Sequence, residues 1–166
     1  MHRWTNKIRS HLWPRRGVSA QPETSRVSVA ISLDTNKTLQ ELENFDWGEF
    51  TSDLSFPADC YRLRRKPLSK FTLEELRVMI NYSIGLYYLI PIALERLKKD
   101  PLVSSGCYRG DLLRAVLIID VCFWNEQRAL WSVVEEIIGE IESPREIIEM
   151  GILREAKALR QVLGGG

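Results

Sequence analysis

From Lys37 onward, apolar residues recur at spacings of three and four, and helix-capping residues punctuate them. That period belongs to helices that bury one stripe of their surface. Thr38 followed by Glu41 is a capping box, in which a hydroxyl and a carboxylate satisfy two end-of-helix N–H groups reciprocally. It predicts a short helix with Leu39 and Leu42 inward. Thr72 and Glu75 repeat the arrangement ahead of Leu73, Leu76, Met79 and Ile80. Ser143, Pro144 and Glu146 give a third box, with proline at the first helical position. The helix it predicts runs to about Val162, with Ile147, Ile148, Ile152, Leu153, Ala156 and Leu159 inward.

Between the second and third boxes the pattern breaks at Gly85, at Asp100-Pro101 and around 120–125. A helix is expected over about 86–99 with Leu89, Ile90, Ala93, Leu94 and Leu97 buried, and Pro91 fits only near its first turn. Asp111 is expected to N-cap the next helix. Residues 127–141 bury Leu130, Trp131, Val134, Ile137, Ile138 and Ile141. Residues 44–59 read as a loop anchored by Phe45, Trp47, Phe50 and Phe56. The one strand-like alternation, Val27 to Leu33, lacks a partner strand. The fold class expected is therefore all-α: a single compact domain of about five to six helices over residues 37–163. A disordered basic extension precedes it over residues 1–36.

The 166 residues amount to one domain. A chain that is 45% hydrophobic and 27% charged is not pervasively disordered. Cys60, Cys107 and Cys122 form no CxxC pair and no disulfide framework, so Cys122, beside Phe123 and Trp124, reads as a small core residue. His2 and His11 are the only histidines, which argues against a histidine metal site or a catalytic triad in the folded part. The apolar run 84–94 is about half of a membrane span and contains Pro91. The first 33 residues carry six bases and one acid, without the apolar core of a secretion signal. An organellar transit peptide and a disordered extension both fit that composition. GCYRGD, residues 106–111, lacks the Lys-Ser/Thr that completes a phosphate-cradling loop.

Charge is balanced overall, 23 bases against 22 acids, but it is not evenly spread. Residues 41–59 hold six acids and no base, and residues 120–142 hold six acids against Arg128. Two acidic blocks in a neutral chain are either solvated surface or a face that docks on a cationic partner. The basic run Arg62, Arg64, Arg65 and Lys66, with Lys70, invites an RNA-binding reading. Internal pairing with the acidic block just before it is the better expectation.

The ordered series TLQELENFDWGE (38–49), RLRRKPL (62–68), FTLEELRVMI (71–80), IGLYYLIPIALERL (84–97), YRGDLLRAVL (108–117) and FWNEQRALW (123–131) resembles a helical family of immunity proteins from bacterial contact-dependent growth inhibition (CDI) systems. The resemblance spans about residues 37–138. It implies a cytoplasmic, non-enzymatic protein that binds the C-terminal domain of a cognate CDI toxin and blocks it. Such a toxin is often a nuclease. It further implies no cofactor, no direct nucleic-acid contact and no membrane. The family gives no contact residues. Charge alone nominates Asp46, Glu49, Asp53, Asp59, Asp120, Glu126, Glu135 and Glu136 as the toxin-binding acids. The competing reading is a small RNA-binding adaptor that uses the basic extension and residues 62–70.

Overall fold

The computed structural model describes residues 33–48, 58–141 and 152–164. The third capping box, the alternating stretch before Leu33, Phe50 and Phe56 lie outside them. Among the described residues the fold is all-α, with eight α-helices, one short 3-10 turn and no strand. The elements are α1 (Leu39–Glu43), α2 (Ala58–Arg64), the 3-10 turn (Leu68–Lys70), α3 (Leu73–Asn81), α4 (Leu86–Leu97), α5 (Asp111–Leu117), α6 (Val121–Glu126), α7 (Arg128–Gly139) and α8 (Ile152–Leu163). The count exceeds expectation because α2 falls in what reads as loop and basic run, and because the break around residue 120 itself holds a short helix.

Both capping boxes that can be described form with reciprocal bonds, Thr38 with Glu41 and Thr72 with Glu75. The periodic residues take their expected places. Leu76, Met79 and Ile80 of α3, Leu89, Ile90, Ala93, Leu94 and Leu97 of α4, and Trp131, Val134, Ile137 and Ile138 of α7 are all buried. These helices share one core with Leu112, Leu113, Val116 and Trp124. Helix α3 packs on α2, α4 and α5, while α7 packs on α4 and α6. Helix α8 lies against α5 and α6, burying Ala156, Leu159 and Leu163. Backbone bonds tie the segment before α1 to the 3-10 turn, from Leu68 N to Lys37 O at 3.0 Å and from Ser69 N to Thr35 O at 2.7 Å.

Four local expectations are corrected. Pro91 sits in the middle of α4, beyond its first turn. Gly110, at φ +82°, occupies the N-cap of α5 and Asp111 is the first helical residue. Cys122 is exposed and Cys60 is the buried cysteine, because Phe123 and Trp124 take the inward side of α6. Phe45, expected as an anchor, stands exposed.

Gly85 enters α4 at φ +64°, a left-handed conformation that glycine adopts without penalty. A Cβ there would lie 2.7 Å from Leu39 Cδ2. The glycine thus lets the fully buried Leu39 of α1 rest against the start of α4.

Candidate functional site

The basic run closes on the acidic block beside it. Arg64 is the last residue of α2, and its side chain is almost fully buried. Its guanidinium pairs with Glu43 at the end of α1, donates to Phe45 O at 2.9 Å and stacks 4.3 Å from the Trp47 ring centroid. Trp47 meets Tyr61 edge to face at 5.1 Å. Arg65 donates to Gly48 O at 2.8 Å and to Gln40 Oε1 at 3.2 Å, and it pairs with Asp46 at 3.4 Å. Lys66 Nζ holds both oxygens of Glu75, at 2.8 and 2.6 Å. Arg62 pairs with Asp59 at 3.3 Å. The expected pairing with the acidic block is thus observed for Arg62, Arg64 and Arg65, whereas Lys66 pairs with Glu75 of α3 instead, and these cations are not a free phosphate-binding strip.

The same pairing engages two of the charge-nominated acids. Asp46 accepts from Gly48 N at 2.8 Å. That bond, together with Arg65, holds its carboxyl below the usual range. Asp59 is exposed and pairs with the exposed Arg62, a pair that contributes little in water. Glu49 and Asp53 lie outside the described residues.

The other acids stand on α6 and α7. Asp120 N-caps α6 by accepting from Cys122 N at 2.8 Å. Glu126 accepts from the Tyr87 hydroxyl, and this bond, with burial and the carboxylate's charge, pushes the phenol up to about 12. Tyr87 meets Phe123 edge to face at 5.4 Å, and the aromatic series continues through Trp124 to Trp131. Glu135 pairs with Arg160 of α8 at 2.9 Å. Glu136 is exposed one residue further along α7, and Glu140 caps the same helix. No base occupies the last turn of α7, where the helix dipole disfavours anions. Glu126 thus ends α6, Glu135 and Glu136 stand in the C-terminal half of α7, and Asp46 and Asp59 lie after α1 and in α2.

A buried acid that charge reasoning read only as a cap organises a loop. Asp111 accepts from Ser105 N at 2.7 Å, Cys107 N at 2.9 Å and Tyr108 N at 3.4 Å. Burial pushes its carboxyl up, but the backbone N–H groups outweigh that effect and leave it below the usual range. Among the described residues, no group of three or more His, Cys, Asp or Glu could hold a metal ion. Among them too, no helix is long and apolar enough to cross a membrane.

The family model for CDI immunity proteins matches residues 41–134, more than half of the chain. The chain belongs to the CDI immunity proteins. Neither the curated proteins nor the solved structures contain a match to this immunity protein. The matched segment runs from inside α1 to inside α7. It covers the clasp around Arg64 and stops just short of the acidic end of α7. A CDI immunity protein binds a cognate toxin, so the relevant chemistry is surface complementarity.

Proposed function

We propose that this immunity protein binds the C-terminal domain of its cognate CDI toxin in the cytoplasm and covers that domain's active site, which we take to be a cationic nuclease cleft. The observation that carries the reading is the acidic C-terminal half of α7. Glu135, Glu136 and Glu140 stand on one helix end with no base in its last turn. Against the helix dipole such a cluster costs stability; Arg160 of α8 answers Glu135, and Glu136 and Glu140 are the charges offered to a partner. Anionic groups aimed at a basic cleft raise the association rate and reject wrong partners, while apolar and aromatic anchors hold the complex. Glu126 at the end of α6 and Asp120 at its N-cap are further candidate acids of the same block. Asp46, Glu49, Asp53 and Asp59 are the candidate acids of the other block. Blocking by coverage needs neither a cofactor nor catalysis. The RNA-adaptor reading has less support, because Arg62, Arg64, Arg65 and Lys66 are spent on Asp59, Glu43, Asp46 and Glu75.

The test is growth of cells expressing the toxin domain from the adjacent gene, with and without this protein, followed by calorimetry with residues 1–36 present and absent. Rescue with nanomolar binding that the truncation leaves unchanged is expected, with 37–163 sufficient. Absence of both rescue and binding refutes the proposal, and salt-sensitive RNA binding would then favour the adaptor.

A further inference from the structure

A second surface, carrying arginines where the end of α7 carries glutamates, lies where α3 meets α5. Arg77 and Asn81, one turn apart on α3, face Asp111, Arg114 and Ile118 across a pocket of about 180 Å³. One water occupies about 30 Å³, so the pocket has room for a side chain. The loop folded around Asp111 sets Tyr108 at the rim, where its hydroxyl accepts from Arg114 Nη1 at 3.1 Å.

The polar groups of this pocket are unevenly satisfied. Asp111 spends its oxygens on the three backbone N–H groups of the loop. Arg77 is left with an ion pair at 3.6 Å, beyond hydrogen-bond reach. Its Nε is buried without a hydrogen-bond partner. A guanidinium carries five N–H donors, and among the described residues none of those of Arg77 makes a hydrogen bond. The Nε itself is sealed against Asp111, so an acceptor entering the pocket would be met by the terminal N–H groups of the Arg77 guanidinium. The rim is of a different kind. Ile118 is 52% exposed and Tyr108 43% exposed. Large apolar and aromatic side chains next to arginine are the combination that dominates binding energy at protein interfaces.

We infer that the pocket between α3 and α5 receives an Asp or Glu side chain of the toxin domain, its carboxylate held by Arg77 and Arg114 and its stem lying on Ile118 and Tyr108. Asp111 answers Arg77 and Glu155 of α8 acts on Arg114, so the carboxylate is selected by the N–H donors of the pocket rather than by an excess of positive charge. A free phosphate would leave the apolar rim uncovered. This inference rests on the toxin-binding reading above. It adds that the partner must offer a carboxylate as well as a basic cleft, so that the complex is fixed at two points of opposite sign.

The experiment is calorimetry of the full chain with the toxin domain, using Arg114→Ala, Arg114→Glu and Ile118→Ser, all at exposed positions. We expect tenfold weaker binding for Arg114→Ala and Ile118→Ser, and a hundredfold loss for Arg114→Glu. An acid-to-arginine change at the docking position of the toxin domain should restore binding to Arg114→Glu alone. If all three variants bind as the unaltered chain does, the inference fails and the immunity reading stands. If the unaltered chain does not bind the toxin domain, the immunity reading fails. The pocket is then decided by the NMR signal of the Arg77 and Arg114 Nε–H groups. A saturable shift with N-acetylglutamate supports a carboxylate site, whereas no shift, or a shift with inorganic phosphate alone, overturns it.

Discussion

Arg64 stacks its guanidinium 4.3 Å above the Trp47 ring while its other side meets Glu43. This one side chain joins the end of α2, the end of α1 and the segment that follows α1. Removing one partner of such a pair strands the other away from full solvation. Arg64→Ala should therefore lose about 3 kcal/mol in urea unfolding. Pairing it with Glu43→Gln should return part of the loss. Strict additivity of the two changes would show that the pair is not coupled.

Gly85→Ala should be destabilising by about 1–3 kcal/mol, the scale of a strained left-handed residue. The added Cβ also meets Leu39 at 2.7 Å. Thermal unfolding checks this, and an unchanged midpoint would mean that α1 yields freely.

Acid sensitivity should centre on Asp111. Its folded carboxyl lies below the usual range, so the stability it contributes is present above the unfolded value of about 3.9. That stability is lost as pH falls through the lower folded value. Asp111→Asn should be less stable at pH 7 and should show a flatter loss of stability below pH ~4. A variant whose acid limb runs parallel to that of the unaltered protein would remove Asp111 from this role.

On α7 the two neighbouring glutamates should separate. Glu136→Lys places a base where the helix dipole favours one, so its unfolding midpoint should not fall. Glu135→Lys loses the Arg160 pair and should fall modestly. Both changes should slow association with the toxin domain and reduce its salt dependence. Stopped-flow rates at two ionic strengths decide it, and unchanged rates would remove these acids from the encounter.

The long helices were legible in the sequence because burial follows hydropathy there: Leu89 to Leu97 and Trp131 to Ile138 are apolar at every inward position. Helix α2 was not, because its third inward residue beside Cys60 and Leu63 is Arg64, which any hydropathy pattern assigns to the surface. Residue type could not separate Asp111 as a helix cap from Asp111 as the acceptor for a folded loop, since one carboxylate suits both. The pairing of adjacent charge blocks could be anticipated from proximity in the chain. The Glu135–Arg160 pair spans 25 residues, and nothing local announces it. The pocket between α3 and α5 draws on residues 77 to 118 and exists only once those helices pack.

Arg128 sits at the head of α7 and donates to the Leu163 carbonyl at 2.7 Å and to Asn125 Oδ1 at 3.0 Å. One side chain thus fastens the final helix to the α6–α7 junction, while Ala156, Leu159 and Leu163 seal the apolar flank of α5 and α6. Trimming the protein to its family-matched segment would uncover that flank. The shortened product should self-associate through the bared strip, so a minimal version of this protein has to keep its last helix to keep that strip covered.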